Sequence, residues 1–314
     1  MSALADERAA LLDALRARKY SFITPTPATH ARVLARPDKN TAHDIRDVFG
    51  WSLPFSPGAI DAELMEIMRR ADALKPHGDH FISRFRVSSL DGDLFLHSAY
   101  PTTQQDAVFF GPDSYRFAAF IRAELPRLGP IDRLADIGTG VGIGAVAAMR
   151  CTEVSHLLLT DINPHALELA EVNVLDAAQR APARSPILTA FIHCNALANV
   201  EAPLHAVIAN PPYILDPAKR AYRDGGALHG AEVSLAWARA AEEKLALGGA
   251  LLLYTGSAII DGEDQLKTAL HEELRGFDIS YREIDPDVFG DELEREDYAD
   301  VERIAVVGVI AVKR

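Results

Sequence analysis

The chain has 314 residues, of which 48% are hydrophobic and 25% charged, a composition typical of globular domains that excludes large-scale disorder. The formal net charge of −13 is unevenly distributed, because residues 126–314 carry 17 basic and 29 acidic side chains. Such a surface repels phosphate backbones unless basic side chains gather locally. This argues against strong non-specific nucleic-acid binding and leaves a short or structured RNA open as a partner.

The N-terminal stretch and the cysteine content indicate a soluble cytoplasmic protein. Asp6 and Glu7 stand where a secretory signal would need positive charge, and no apolar run reaches the ~18 residues of a membrane span. Cys151 and Cys194 are the two cysteines and lack a C-x-x-C spacing, so we expect small core residues. We therefore expect no contact with a membrane and no metal site.

Residues 1–105 predict a helical domain that ends in a hairpin. Apolar periodicity predicts helices, with a break at Pro25 and Pro27, over residues 5–19, 28–36, 41–49 and 60–74. Alternating apolar and polar residues over 82–98 flank Asp91-Gly92, a strong two-residue hairpin signal. This pattern fits either a winged-helix-like module or a substrate-binding lid, and the acidic balance favours the lid.

Residues 106–314 predict an α/β domain, because strands and helices alternate there. The predicted strands cover residues 133–138, 156–161, 187–193, 204–209, 250–255, 277–284 and 303–312. The predicted helices cover residues 142–150, 164–178, 231–246 and 262–274. Since no long helix separates the last two strands, we expect one of them to run antiparallel. The prediction is a doubly wound, seven-stranded, mostly parallel sheet preceded by the smaller domain.

The first strand of this sheet leads into a glycine-rich turn, "LADIGTGVGIGA". Glycines at 138, 140, 142 and 144 let the backbone pass close to a ligand and turn into a helix whose first N–H groups face an anionic group. A nucleotide-type cofactor is implied. Residues 140–145 also satisfy the dinucleotide pattern, so a nicotinamide cofactor stays open at this point.

Two further polar residues follow the next strands. Asp161 lies 21 positions after Gly140, where a carboxylate can accept hydrogen bonds from both ribose hydroxyls. The alternative is that Asp161 only caps the helix that begins at Pro164, although the spacing favours ribose. Asn195 ends the third strand, at a position from which it could reach an adenine edge or form a plain turn.

The fourth strand ends in "VIANPPYILD". Proline donates no backbone hydrogen bond and restricts its own φ, so the strand must stop at Asn210. Because doubly wound folds bind ligands at the carboxyl edge of the sheet, we expect Asn210, Pro211, Pro212 and Tyr213 to face the cofactor.

Together these motifs resemble the class I S-adenosylmethionine-dependent methyltransferases of the Asn-Pro-Pro-Tyr group, which methylate planar nitrogens. The resemblance covers residues 109–314 and rests on Asp136-Ile-Gly138-Thr-Gly140, Asp161, Asn195 and Asn210-Pro-Pro-Tyr213. It implies a Rossmann-like methyltransferase fold. It also implies that Asn210, Pro211, Pro212 and Tyr213 are the catalytic residues, with Tyr213 stacked on the flat target.

The resemblance also implies a set of cofactor-binding residues. Gly138 and Gly140 would pass beside the methionine part, Asp136 would help orient its amine, Asp161 would hold the ribose and Asn195 would lie near the adenine. The complete predicted set is Asp136, Gly138, Thr139, Gly140, Asp161, Ile162, Asn195, Ala196 and Asn210. Many relatives have Asp in place of Asn195, so the adenine contact is the least secure of these.

The acceptor is not determined by the sequence. The chain is similar to the release-factor glutamine methyltransferases, with "YRDGGALHGAEVSL" after the motif, and to the small-domain RNA guanine methyltransferases. A protein glutamine, an RNA or DNA base and a small metabolite all stay open, as do a nicotinamide oxidoreductase and a non-catalytic cofactor-binding module. Phe110 and Tyr115 are candidates to close over the cofactor. Charged loop residues are interpreted as solvated, namely Arg220, Arg223, Asp224, Glu292, Glu294, Glu296 and Asp297.

Overall fold

The computed structural model describes residues 2–181, 186–220 and 222–314, and the chain divides into two compact units. Unit 1 comprises Met1–Arg116, Gly140–Ile143 and Glu168–Pro182. Unit 2 comprises Phe117–Thr139, Gly144–Leu167 and Ala183–Arg314.

Unit 1 begins with helices whose first turns are closed by side chains. These helices are α1 (Ala3–Ala17), α2 (Pro27–Leu34), α3 (Ile45–Phe49) and α4 (Ala62–Arg70). The first N–H groups of a helix lack partners within it, and here Ser2, Thr26, Asp44 and Asp61 accept hydrogen bonds from them. The caps at Asp44 and Asp61 start α3 and α4 later than the sequence predicted.

Two hairpins complete unit 1. Strands β1 (Leu74–His77) and β2 (His80–Ser83) form one, and β3 (Phe85–Leu90) and β4 (Asp93–Ser98) form the other. The second was predicted and is confirmed, with Asp91 and Gly92 at φ 51° and 88°, as a tight two-residue turn requires. The first was missed. The prediction of a helix to residue 74 and of one strand from 82 was wrong there, because Gly78-Asp79 makes a second turn.

Unit 2 is built on one large sheet. Its strands are β5 (Ile131–Ile137), β6 (Val154–Asp161), β7 (Leu188–His193), β8 (Leu204–Ala209), β9 (Leu245–Ile260), β10 (Glu263–Asp264), β11 (Phe277–Asp285) and β12 (Arg303–Lys313). The spatial order is β11-β12-β9-β8-β5-β6-β7, with the short β10 paired to the end of β9. β12 runs antiparallel to both neighbours. The predicted doubly wound, seven-stranded, mostly parallel α/β sheet is confirmed.

The remaining helices follow the predicted order. They are α5 (Pro112–Glu124), α6 (Ile143–Cys151), α7 (Pro164–Gln179), α8 (Glu232–Lys244) and α9 (Gln265–Glu273). Short 3₁₀ helices cover Pro57–Ala59, Leu125–Leu128, Gly290–Glu294 and Glu296–Tyr298. α8 ends two residues before the predicted position because Leu245 pairs with Leu204 and already belongs to β9.

The two faces of the unit 2 sheet are both buried. On one face, Ala135 and Ile137 of β5 pack in a cluster with Leu235 of α8 and Leu266 of α9. On the other face, the Phe117 ring of α5 lies 6.0 Å from the Tyr254 ring of β9. Burial on both faces explains why the parallel strands read as nearly continuous apolar runs.

Candidate active site

The carboxyl edge of the sheet brings three predicted site residues into neighbouring positions. Ile137 of β5 is in register with Ala209 of β8 on one side and with Thr160 of β6 on the other. The next residues along these strands are Gly138, Asn210 and Asp161, and adjacent strands lie about 4.8 Å apart. The strand order reverses between β5 and β8, and in doubly wound sheets such a switch point opens a crevice for ligands.

The turn after β5 uses glycine for two reasons. Gly138, Gly140 and Gly142 have φ of 61°, 55° and 82°, a backbone region that side chains disfavour. In addition, a Cβ on Gly138 would lie 2.2 Å from the Trp237 ring of α8. Trp237 is therefore a wall of this turn. Sequence reasoning missed it, and the only signal was a rare tryptophan on the helix after the Asn-Pro-Pro-Tyr motif.

Asp136 is buried beneath the glycine turn. One oxygen of its carboxyl group accepts hydrogen bonds from the Thr139 hydroxyl at 2.8 Å and from the Ala145 N–H at 3.1 Å. Burial raises the pKa of Asp136 to about 7, and the nearby charge of Asp161 acts in the same direction. These contacts tie the end of β5 to the first turn of α6. Asp136 and Thr139 therefore stabilise the conformation of the turn.

Asp161 does not cap the following helix. The capping hydrogen bond runs from the His165 N–H to the Asn163 side-chain oxygen at 3.0 Å, directly before α7. The Asp161 carboxylate instead accepts a hydrogen bond from the Asn163 N–H at 2.9 Å and is partly exposed at the sheet edge. This geometry excludes the capping interpretation of Asp161.

The remaining predicted cofactor residues lie at the ends of β6 and β7. Ile162 is 52% exposed, an unusual position for a large apolar side chain. Its carbonyl oxygen lies 3.0 Å from the Nε2 atom of His193, at the end of β7. Asn195 is exposed and Ala196 has a φ of 44°, so the chain turns sharply there. The structure thus places an apolar surface and an amide beside Asp161.

Asn210-Pro-Pro-Tyr213 follows β8 directly, with Asn210 half-buried and Pro211 buried. Tyr213 is 7% exposed, and its ring packs against Gly256 of β9, where an added Cβ would meet it at 2.2 Å. Phe289 covers the ring from the side, with centroids 5.8 Å apart at 70°. Phe289 itself has a φ of 56°, a strained conformation for an aromatic residue.

The glycine-rich segment after the motif packs beneath it. A Cβ on Gly225 would lie 2.7 Å from the Tyr213 Cα atom, and one on Gly230 would lie 2.3 Å from the Tyr213 carbonyl oxygen. The Gly225 N–H also donates to the Ile214 carbonyl at 2.8 Å. Gly225 and Gly230 of "RDGGALHG" are therefore required by contact with the motif backbone.

The connection between β11 and β12 holds the motif from the other side. The Leu215 N–H donates to the Tyr298 hydroxyl at 2.9 Å, and the Leu215 carbonyl accepts a hydrogen bond from Arg295. Arg223 pairs with Glu292, which also pairs with Arg295 at 2.8 Å. We call Leu215, Arg223, Glu292, Arg295 and Tyr298 the motif brace.

The motif brace corrects one prediction from the sequence. Arg223, Glu292 and Asp297 were interpreted as solvated, and the structure pairs each of them with a charged partner. The Arg220 guanidinium likewise donates two hydrogen bonds of 2.6 and 2.8 Å to the buried Asp216 carboxylate. These hydrogen bonds lower the pKa of Asp216 to about 2. The charges order the segment after the motif.

A cavity of about 300 Å³ lies elsewhere in unit 2, between the segment before α8 and the start of α9. Leu235, Ser257 and Leu266 contribute to its walls, and none of the predicted site residues does. Among the described residues there is no group of His, Cys, Asp and Glu arranged to hold a metal ion. A search of the same part of the chain finds no helix long and apolar enough to cross a membrane.

Comparison with known proteins identifies relatives of this chain. Residues 118–272 match the family model described as methyltransferase small domain. Release factor glutamine methyltransferase from Deinococcus radiodurans is 28% identical over 180 residues, 57% of this chain and 60% of the relative. Ribosomal RNA small subunit methyltransferase C from Shewanella amazonensis is 27% identical over 143 residues, 46% of this chain and 37% of the relative. The chain thus spans less than two thirds of the length of each of these relatives.

Among solved structures, Trm5b from Pyrococcus abyssi superimposes with a TM-score of 0.50 at 13% identity, covering 92% of this chain and 78% of that one. At this identity the likeness concerns the fold alone. The glycine turn and the Asn-Pro-Pro-Tyr segment lie within the residues that match the family model. Residues 118–272 of this chain are therefore similar to the methyltransferase small domain family.

Proposed function

We propose that this protein is an N-methyltransferase that transfers a methyl group from S-adenosylmethionine to a planar NH2 nitrogen. The observation that carries the proposal is the position of Asn210-Pro-Pro-Tyr213. The segment follows β8 directly, one strand away from the glycine turn, and is held by contacts on both sides. Neither a nicotinamide oxidoreductase nor a non-catalytic module gains support from the relatives named above.

The residues present fit S-adenosylmethionine. The glycine turn leaves backbone without side chains beside Trp237, and the Asp161 carboxylate stands at the adjacent strand end. We assign the methionine part to Gly138, Thr139 and Gly140, with Asp136 shaping the turn beneath it, and the ribose to Asp161. Ile162, Asn195 and Ala196 would line the adenine. The bound cofactor supplies an electrophilic methyl group on a sulfonium.

Asn210 and Pro211 would act on the acceptor nitrogen. An amide or exocyclic amino nitrogen is a poor nucleophile because its lone pair is delocalised. The Asn210 side-chain oxygen and the Pro211 carbonyl can each accept one N–H of the target and so stabilise the positive charge that develops on nitrogen. After transfer the nitrogen proton is acidic and leaves to water, so no strong general base is required. Positioning of the nitrogen then contributes much of the rate.

Tyr213 is proposed to lie against the flat target from the side of β9. Its ring is nearly covered by Gly256 and Phe289, so an acceptor that stacks on it must displace Phe289. Pro212 restricts the backbone between Pro211 and Tyr213 and thereby their relative orientation. The strained backbone of Phe289 supports a role as a movable cover over this ring.

The acceptor is proposed to be a macromolecule, either a protein glutamine or a base of a structured RNA. The two relatives named above act on a release factor and on ribosomal RNA, according to their names. The acidic balance of residues 126–314 favours a protein acceptor, because it repels a phosphate backbone. Residues 1–105 would form the substrate-binding domain and residues 106–314 the methyltransferase domain.

Two experiments test the proposal. Calorimetric titration with S-adenosylhomocysteine and with NADH should show binding of the first and not of the second, and the reverse result would favour an oxidoreductase. Tritiated S-adenosylmethionine is then incubated with the protein and an extract of cells that lack it. Label in the protein fraction or in RNA identifies the acceptor class. Cofactor binding without transfer to any fraction would leave only a cofactor-binding module.

A further inference from the structure

The β3–β4 hairpin of unit 1 has one polar face that is buried. Arg86 and Ser88 lie on the same side of β3, and His97 is the register partner of Arg86 on β4. Arg86 is 4% exposed, Ser88 0% and His97 1%. Interior strand positions normally carry apolar residues, so a polar set here departs from the pattern that folding alone favours.

The Arg86 guanidinium is hydrogen-bonded to neutral acceptors. Its Nε–H donates to the Gly50 carbonyl at 2.9 Å, and its Nη2 lies 3.4 Å from the Nδ1 atom of His30. No carboxylate of the described residues lies within ion-pair distance of it. A guanidinium carries five N–H donors, and these two neutral acceptors take two of them. Burial lowers the pKa of Arg86 to about 10, so the group still carries its charge at neutral pH.

The surroundings of Arg86 add neutral donors and aromatic walls. The Ser88 hydroxyl lies 2.8 Å from the Nε2 atom of His97 and is also hydrogen-bonded to the Thr24 hydroxyl. The guanidinium lies over the Phe22 ring at 5.6 Å from its centroid. His30 has its pKa lowered to about 4 by burial, so it does not compete as a cation. The Arg86 guanidinium and the hydroxyl groups of Ser88 and Thr24 therefore all lie in the buried part of unit 1.

A buried charge without a partner opposes folding, and an interior position could hold an apolar side chain of the same size. Guanidinium groups match the geometry of carboxylate and phosphate oxygens with paired N–H donors. We propose that Arg86, with the hydroxyl groups of Ser88 and Thr24, forms a binding site in unit 1 for one oxyanion, a carboxylate or phosphate group of a ligand. The contacts that define this site do not depend on the proposed methyl transfer.

The test measures thermal unfolding of the full chain in sodium phosphate, sodium acetate and sodium chloride at constant ionic strength. Three proteins are compared: the parent, Arg86→Met and Arg46→Met. Arg46 is the matched control, because its guanidinium also lies over Phe22, at 5.8 Å, but the residue is exposed. Phosphate or acetate should raise the Tm of the parent and of Arg46→Met saturably by roughly 2–4 °C, and leave Arg86→Met unchanged.

The chloride series adds a second prediction, that Arg86→Met unfolds at the same temperature as the parent or higher, because it removes an unpaired buried charge. An equal response of all three proteins to the anions would overturn the proposal. So would a parent protein that does not respond at all.

If Arg86→Met does not fold, hydrogen exchange of the parent protein tests whether the site binds the anion. Phosphate or acetate should slow amide exchange in the β3–β4 hairpin, and an unchanged exchange rate there rejects the site. Calorimetry with S-adenosylhomocysteine distinguishes the source of the carboxylate in a folded Arg86→Met variant. A fall in affinity of about tenfold or more identifies the cofactor as the source, and an unchanged affinity identifies a different ligand.

Discussion

At the carboxyl edge of the unit 2 sheet, the proposed cofactor site lies at the ends of β5 and β6, and the proposed acceptor site lies at the end of β8. We call these the cofactor half and the acceptor half, and different kinds of contact hold them. At the ends of β5 and β6, the described hydrogen bonds to the two carboxylates are local: the Thr139 hydroxyl and the Ala145 N–H donate to Asp136, and the Asn163 N–H donates to Asp161. At the end of β8, the contacts come from distant parts of the chain. Gly256 and Phe289 enclose Tyr213, and Tyr298 holds Leu215.

The difference between the halves has a functional consequence. A turn whose buried carboxylate is hydrogen-bonded by neighbouring residues keeps its shape whatever acceptor is used. This property suits the proposed cofactor site. The acceptor half depends on the β11–β12 connection, so changes in residues 286–302 can alter the motif surroundings without altering the motif. We therefore expect mutations of the cofactor half to change cofactor binding or local stability, and mutations of the acceptor half to change turnover.

The largest effect is expected for Asp136→Asn, which tests the cofactor half. Burial raises the pKa of Asp136 to about 7, above its value of about 4 in the unfolded chain. The folded state thus binds the proton more tightly, so this stabilisation is fully present below pH ~4 and is lost as the pH rises to ~7. The lost free energy of unfolding is at most about 4 kcal/mol. Urea unfolding from pH 4 to pH 8 should show this decline in the parent and a much flatter profile in the variant; parallel profiles would contradict it.

Asn210→Ala tests the acceptor half directly. Turnover should fall by ~10² or more, because the side-chain oxygen acts on charge that develops in the transition state. The affinity for S-adenosylhomocysteine should stay nearly unchanged. Single-turnover kinetics with the acceptor identified above, together with calorimetry, check both statements. Asn199→Ala, an exposed asparagine in the loop before β8, is the control. Equal rates in parent and Asn210→Ala would remove the proposed role.

Gly256→Ala tests whether a distant strand positions the motif. The added Cβ would meet the Tyr213 ring at 2.2 Å, so the ring must move, and overpacking of this kind costs about 1–3 kcal/mol. We expect a lower turnover with unchanged cofactor affinity. Gly276→Ala is the control, since a Cβ there has no neighbour within 4 Å. If both variants behave like the parent in unfolding and turnover, the ring has more freedom than the structure indicates.

Asp161→Ala tests the cofactor half at the end of β6. Loss of hydrogen bonds to the ribose should weaken S-adenosylhomocysteine binding by about tenfold or more. Asp278→Ala, at an exposed position on β11, serves as the control in calorimetry. Equal affinities of Asp161→Ala and the parent would rule out the ribose assignment.

The smallest effect is expected for Tyr298→Phe, which removes one hydrogen bond of the motif brace. The Leu215 N–H loses its partner, which costs about 1 kcal/mol of unfolding free energy. Combination with Arg295→Met should be non-additive, because both side chains hold the backbone of the same residue, Leu215. A double-mutant cycle of unfolding free energies and kcat measures the coupling. Strictly additive effects would show that the two contacts act independently.

The order of the strands and helices in unit 2 could be predicted from the sequence because the signals are local. Buried parallel strands read as apolar runs, and glycine or proline marks their ends, as at Gly138 and Pro211. The β1–β2 hairpin escaped prediction because its strands are short and mostly exposed or half-buried, so they carry no clear apolar alternation. The early end of α8 escaped it because pairing of Leu245 with Leu204 overrides helix propensity.

For the site, the sequence by itself determined which residues stand at the strand ends, since a motif of a few neighbouring residues sets its own turn. Asp136, Gly138, Asp161 and Asn210 are of this kind. Only the tertiary structure decided what surrounds them: Trp237 against the glycine turn, Phe289 over Tyr213, and the motif brace. Those contacts join residues tens of positions apart, and sequence spacing carries no information about them until the sheet brings the segments together.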